Sequence, residues 1–147
     1  MSDASELKRF ALFADLVDTE RDELASLLEE REASAGETLF DEGDEADALL
    51  LVLEGRLELK SRCRTETLSV GAGETIGGLS LFAVGTRGVA AVGAEESALR
   101  VLRREDFLRF AEDHPRAAFR IAAALASDVA QHARATLPSV DPSEAGE

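Results

Sequence analysis

At 147 residues and 45% hydrophobic, the chain is long enough for one core and too short for two, and its composition is that of a globular protein rather than a disordered one. Thirty acidic residues against 16 basic ones give a formal charge of −14, which repels phosphate backbones and sets the chain against broad nucleic-acid binding. One small anionic ligand stays compatible with that surface, because exposed charges beyond about 8 Å are screened at physiological salt and a local arginine can dominate.

In chain order, Met1-Ser2-Asp3-Ala4-Ser5-Glu6 has neither a basic start nor an apolar stretch, so no secretory leader is read. Two short helices are predicted next, from Leu7, Phe10 and Ala11 and from Leu24, Leu27 and Leu28 at helical spacing. Asp18 or Thr19 is the expected cap of the second, with Asp22 and Glu23 in its first turn. From about Glu32 to Arg103 short apolar runs alternate with glycines. Leu49-Leu50-Leu51-Val52-Leu53 reads as a buried strand, and Leu57-Glu58-Leu59-Lys60 alternates as a half-exposed one does. Val89 to Val92 and Leu99 to Leu102 add two more strands. Their spacing of roughly 8–12 residues predicts a sandwich or barrel, with no room for the helices of a βαβ fold.

Cys63, the single cysteine, allows no internal disulfide and suits a reducing compartment. Past Arg104 the pattern turns helical again, with Phe107, Phe110 and Ala111 in a short helix ending near His114. Pro115 suits the first turn of a longer helix running to about Leu137, whose stripe is Phe119, Ala122, Ala126, Val129 and Ala133. That stripe is read as a homodimer seam, with packing back on the strands as the alternative. The segment 138–147 is expected to be a disordered acidic tail, leaving 1–137 as one domain. No apolar run approaches the ~20 residues of a membrane span, so a cytoplasmic protein is expected.

Three stretches carry a family resemblance. They are Ala35 to Asp44, Leu51 to Leu57, and Gly73-Glu74-Thr75-Ile76-Gly77-Gly78-Leu79-Ser80-Leu81 followed by Thr86-Arg87-Gly88-Val89. In this order, between short helices and a long one, they resemble the cyclic-nucleotide-binding domain of catabolite-activator-like regulators, gated channels and kinase regulatory subunits. The resemblance implies a mainly β fold with flanking α: a jelly-roll-like β-roll, or double-stranded β-helix, with short N-terminal helices and a long C-terminal one. It also implies a phosphate-binding cassette with Gly77 as its glycine and Arg87 as its arginine.

By the same resemblance the ligand-facing set is Gly77, Gly78, Leu79, Arg87, Gly88 and Val89. The ligand would be cyclic AMP, cyclic GMP or another small anion. Gly78 stands where the family has the glutamate that accepts from the ribose 2′-hydroxyl. Gly88 stands at the Ser/Thr position, Val89 at the small alanine and Thr86 at the proline. A hydrogen bond to a charged group is typically worth ~1.5–3 kcal/mol, so losing one weakens binding by about ten- to a hundred-fold or slightly more. The expected function is a regulatory module with weakened or altered cyclic-nucleotide binding, and the alternative is a ligand-free dimerisation or protein-docking scaffold.

Other features have plain readings. Arg87 either captures an anion inside the roll or pairs with a surface carboxylate. Gly71-Ala72-Gly73 and Gly77-Gly78 lack the spacing of a dinucleotide fingerprint and the Gly-Lys-Ser/Thr of a Walker loop, which leaves them as turn glycines. Cys63 between Arg62 and Arg64 is read as an exposed thiol at a hairpin tip, with a redox sensor as the alternative. His114 is placed to cap a helix, and His132, ~27 Å further along it at 1.5 Å per residue, cannot share a metal with it. No catalytic constellation is seen, so no enzyme, metal, nucleic acid or membrane is expected. Output would pass to a protein partner or through self-association, since only 138–147 follows the long helix and no DNA-reading helix pair is present.

Overall fold

Six apolar residues in succession from Ala48 to Leu53 have no polar face to offer water, so the strand they form must be covered on both sides. The computed structural model, which describes residues 4–63 and 65–136 and the side chains from Ser5 to Gln131 without Arg64, shows how. This strand, β3 (Ala48–Glu54), sends Leu49, Leu51 and Leu53 into a core built with the helices. It sends Leu50 and Val52 into a second core between two sheets. Alternation along one strand therefore joins both hydrophobic cores.

The sheets are four-stranded. One has the order β1 (Glu29–Ala33), β8 (Ser97–Arg103), β3, β6 (Thr75–Ile76); the other has β2 (Thr38–Phe40), β7 (Ala90–Gly93), β4 (Arg56–Lys60), β5 (Leu68–Gly71). All pairings are antiparallel, as in a β-roll. Ala33, Leu57, Val70, Ile76 and Leu99 fill the space between them, so the roll's interior is solid over most of its length.

Helices close one outer face. Short α1 (Ala4–Leu7) and a 3-10 turn at Ala11–Phe13 precede α2 (Asp18–Leu27), and α3 (Arg104–Asp113) and α4 (Pro115–Thr136) follow the strands. Leu7, Phe10, Phe13, Leu24, Phe107, Phe110, Ile121 and Leu125 pack on the odd side of β3. Arg21, only 7% exposed, ties the N-terminal turns together. Its Nη1 donates to the carbonyls of Phe13, Ala14 and Leu16, and its Nη2 meets Asp18 Oδ1 at 2.7 Å. That buried cation has its carboxylate.

Two expectations are corrected. The cap of α2 is Val17, not Asp18 or Thr19: its backbone N–H donates to Glu20 Oε1 at 3.0 Å, while Asp18 is spent on Arg21. The strands begin at Glu29 rather than near Glu32, because β1 is an edge strand whose first four residues are exposed and polar. In α4 the core-facing residues are Ala117, Ile121 and Leu125, while Phe119, Ala126 and Val129 are exposed and Ala122 is half-buried, which sets aside the alternative that this stripe packs back on the strands. Ala133 and His132 have side chains outside the described residues, as does the whole segment 138–147. No described helix is long and apolar enough to cross a membrane.

The β3–β4 turn shows why glycine punctuates the roll. Gly55 has φ +90°, and a Cβ there would lie 2.3 Å from Ser97 Oγ and 2.5 Å from the Glu96 carbonyl. Gly85 has neither constraint, with nothing within 4 Å of its would-be Cβ. Gly55→Ala is expected to cost about 1–3 kcal/mol or more through positive-φ strain and backbone displacement, whereas Gly85→Ala leaves thermal unfolding within error of wild type. Paired calorimetric melts check both.

Candidate functional site

The segment that carries Arg87 is held as an extra rung beside the β2–β3 turn. Glu45 and Thr86 form an isolated antiparallel bridge. The Arg87 N–H donates to the Asp44 carbonyl at 2.7 Å, and the Gly43 N–H donates to the Arg87 carbonyl at 2.8 Å. Backbone pairing on both sides of one residue leaves its side chain a single direction, which is inward: Arg87 is 8% exposed.

Inside, the guanidinium has polar and aromatic neighbours but no carboxylate. Nη2 donates to the Ala48 carbonyl at 2.8 Å and Nη1 to Ser80 Oγ at 3.4 Å. The Phe40 ring lies under it, 4.3 Å from Cζ to ring centroid, a cation–π contact. Nε is buried without a partner. Burial pushes the Arg87 guanidinium below its usual value, and Asp47 and then Asp44 pull it back. Neither carboxylate comes within 4.0 Å, so Arg87 makes no ion pair. It stays protonated all the same.

The six predicted site residues are not gathered into one wall. Gly77, with φ +82°, begins the 3-10 turn Gly78–Leu81, and its would-be Cβ lies 2.3 Å from Arg87 Nη1 and 3.0 Å from the Ala48 carbonyl. Only glycine lets the guanidinium lie against this turn. Gly78 is buried, and its would-be Cβ lies 2.5 Å from Leu125 Cδ1 on α4. Leu79 is 59% exposed, Gly88 has nothing within 4 Å of its would-be Cβ, and Val89 is half-buried. Arg87 and Gly77 are thus in contact, Gly78 seats the long helix, and Leu79 and Gly88 face outward.

A cavity of about 210 Å³ opens beside the arginine, with Leu39, Phe40, Leu50 and Val101 as its apolar lining and Asp44 and Asp47 among its acidic residues. Gly77, Gly78, Leu79, Gly88 and Val89 do not line it. Arg31 and Arg103 also border it, but each has a carboxylate, at 3.1 Å to Glu37 and 3.0 Å to Glu29. Of the three arginines at this cavity, Arg87 is the one with no carboxylate within 4.0 Å among the described residues.

Sequence reasoning missed Phe40, Ala48 and Ser80, the three residues that hold the guanidinium. A polar residue alone among Gly78, Leu79 and Leu81 was the available signal for Ser80. Cys63 is exposed, and its N–H donates to Ser61 Oγ. His114 is the C-cap of α3, stacks on Phe110 and reaches Glu23 Oε2 at 2.6 Å, which is a structural task. Among the described residues no group of three His, Cys, Asp or Glu is placed to hold a metal.

Comparison with known proteins agrees with this geometry. The family model described as "cyclic nucleotide-binding domain" matches residues 30–114. The Cyclic AMP receptor protein of Thermus thermophilus is 36% identical over 125 residues, covering 82% of this chain and 57% of that protein. Lysophospholipase NTE1 of Chaetomium globosum is 32% identical over 104 residues, 68% of this chain but 7% of the enzyme. The chain thus spans little more than half of the one relative and a small part of the other. Among solved structures, the N-terminal domain of a transcriptional regulator from Streptomyces coelicolor superposes with TM-score 0.77 at 34% identity, covering 93% of this chain and 99% of that one. On the strength of a match that runs from β1 through α3, across both sheets and the arginine between them, this chain belongs to the cyclic nucleotide-binding domain family.

Proposed function

We propose that this chain is a non-enzymatic regulatory module that takes a small anion of the cyclic nucleotide class, cyclic AMP or cyclic GMP, with weakened or altered affinity. One observation carries the reading: Arg87 is 8% exposed and has no carboxylate within ion-pair distance. Buried charges are almost always paired, since desolvating an isolated ion costs several kcal/mol even after relaxation. A ligand phosphate between this guanidinium and the first N–H groups of the Gly78–Leu81 turn supplies the missing charge. Gly77, Gly78, Leu79, Gly88 and Val89 are the remaining positions of this reading, of which Leu79 and Gly88 face outward. Gly78 brings no carboxylate to a sugar hydroxyl and Gly88 no hydroxyl to the phosphate, and both losses lower affinity.

The bound state is passed on through α4, whose stripe of exposed Phe119, Ala126 and Val129 with half-buried Ala122 forms a homodimer seam or docks a protein partner. A formal charge of −14 disfavours nucleic acid as that partner, and the module works in the cytoplasm, where its one cysteine stays reduced.

A second reading is a ligand-free scaffold. It is favoured by the way the chain already occupies its own site: the Ala48 carbonyl and the Phe40 ring hold the guanidinium, and Leu125 fills the space beside Gly78.

Calorimetric titration with cyclic AMP and cyclic GMP separates the two. Saturable heat in wild type, weakened about ten-fold in Arg87→Lys and by a hundred-fold or more in Arg87→Ala, is the expected outcome for the receptor. Silence in wild type at millimolar ligand leaves the scaffold.

Self-association has its own check. Light scattering is expected to give twice the monomer mass for wild type and the monomer mass for Phe119→Glu, with unchanged circular dichroism. A monomeric wild type removes the seam.

A further inference from the structure

The segment that carries Arg87 has little of its own to hold it. From Ala83 to Thr86 every residue is exposed, Val84 at 84%, and Gly88 on the far side is exposed too. Its place comes from main-chain hydrogen bonds to the turn between β2 and β3. The Ala46 N–H donates to the Gly85 carbonyl at 2.9 Å, beside the two bonds that Arg87 itself makes to Gly43 and Asp44. A lone two-stranded ladder is marginal in water. That turn is itself exposed from Gly43 to Glu45, and Ala46 is its buried residue. Whatever fixes Ala46 therefore fixes where Arg87 points.

Arg104, the first residue of α3, grips it. The Arg104 backbone N–H donates to the Asp47 carbonyl at 2.8 Å, and its Nη2 donates to the Ala46 carbonyl at 3.1 Å. Nη1 makes a longer contact, 3.5 Å, with the Ala83 carbonyl at the start of the arginine-bearing segment. Arg87 Nη2 meanwhile donates to the Ala48 carbonyl at 2.8 Å. Three successive carbonyls, of Ala46, Asp47 and Ala48, are thus taken by two arginines, one at the head of a helix and one inside the roll. The half-buried Arg104 side chain touches both strands of the ladder at once, whereas its neighbour Arg103 is spent on Glu29.

We propose that Arg104 is a positioning residue for Arg87: its guanidinium clamps Ala46 to Ala83, so the start of α3 sets the place of the buried cation. The clamp needs no ligand, and its effect on affinity rests on the anion-binding reading of Arg87 given above. A guanidinium suits the task because its donors diverge from a rigid plane and reach two carbonyls, whereas an ammonium is a single point on a flexible stem. Arg104 does not line the cavity beside Arg87, so it acts through Arg87 and not on a ligand.

The test compares wild type, Arg104→Ala and Arg104→Lys by amide hydrogen exchange and by the Arg87 side-chain N–H resonance, which the Phe40 ring beneath it shifts. Arg104→Ala is expected to speed exchange at Gly43, Ala46 and Arg87 by about ten-fold or more while the middle of β3 is unchanged. It should also move the Arg87 Nε–H resonance toward its value in an unfolded chain. Arg104→Lys should fall between, and it serves as the variant if the alanine form unfolds. Calorimetric titration with cyclic AMP is expected to show binding about ten-fold weaker in Arg104→Ala than in wild type. Unchanged exchange at the three amides, or equal acceleration through the whole of β3 in both variants, overturns the positioning role and leaves the reading of Arg87 standing. Wild-type affinity retained in Arg104→Ala overturns it as well. If exchange divides as expected while wild type takes up no cyclic AMP or cyclic GMP at millimolar concentration, the positioning role stands and the anion-binding reading falls.

Discussion

A guanidinium folded inward between two sheets, with no carboxylate of the described residues within 4.0 Å, is the constraint around which this domain is arranged. Arg87 reaches β3 through the Ala48 carbonyl, β2 through the Phe40 ring and the Gly78–Leu81 turn through Ser80. Of these, β2 and β3 are neighbours in the chain but lie in different sheets, and the turn follows later, outside both. The contrast with the other buried arginine is instructive. Arg21 spends its charge on Asp18 at 2.7 Å and its remaining donors on backbone carbonyls, so it is a staple. Arg87 makes a carbonyl contact and an aromatic contact that hold it in place, yet leaves its electrostatic demand open. Two arginines of near-equal burial thus differ in whether a carboxylate lies within ion-pair distance.

The departure at Gly78 has a second consequence. A would-be Cβ at this position meets Leu125 of α4 at 2.5 Å, so the absent side chain is also the seat of the long helix on the turn. The clashing atom is the tip of a flexible leucine, so a larger residue here would first turn Leu125 rather than break the fold. What changes is the coupling. With glycine, the turn that touches Arg87 and the helix that presents Phe119 are in direct van der Waals contact through one side chain. Any movement of the turn toward a ligand is felt by Leu125, and any partner that shifts α4 is felt by the turn. Receptor and scaffold readings therefore use the same joint, and differ only in whether a ligand biases it.

How much of this was legible in the sequence depends on what each residue had to satisfy locally. The runs at β3, β4, β7 and β8 announce themselves because their burial is dictated by apolar side chains at period two or in continuous series. Glu29-Glu30-Arg31-Glu32-Ala33 could not be read as β1, since only Ala33 is buried and the rest owes its conformation to hydrogen bonds with β8. In α4 the periodicity was present twice over. Ala117, Ile121 and Leu125 form one stripe and Phe119, Ala122, Ala126 and Val129 another, and spacing alone does not say which faces the core. The volume of Ile121 and Leu125 decides it, because the space under α4 is bounded by Phe13, Phe107 and Leu51 and must be filled.

At the site, legibility followed the same divide. Arg87 and Gly77 were readable, since a cation and a positive-φ glycine carry their roles in their own chemistry. Phe40, Ala48 and Ser80 were not, because an aromatic ring, a main-chain carbonyl and a small hydroxyl acquire their meaning only from what lies against them. The acidic surface completes the logic. A formal charge of −14 disfavours long polyanions, while Arg87 is buried and feels Asp47 and Asp44. On the anion-binding reading, selectivity for a small anion over a nucleic acid needs no dedicated gate. On that reading it follows from setting a buried guanidinium, with no carboxylate of the described residues within 4.0 Å, behind an acidic surface.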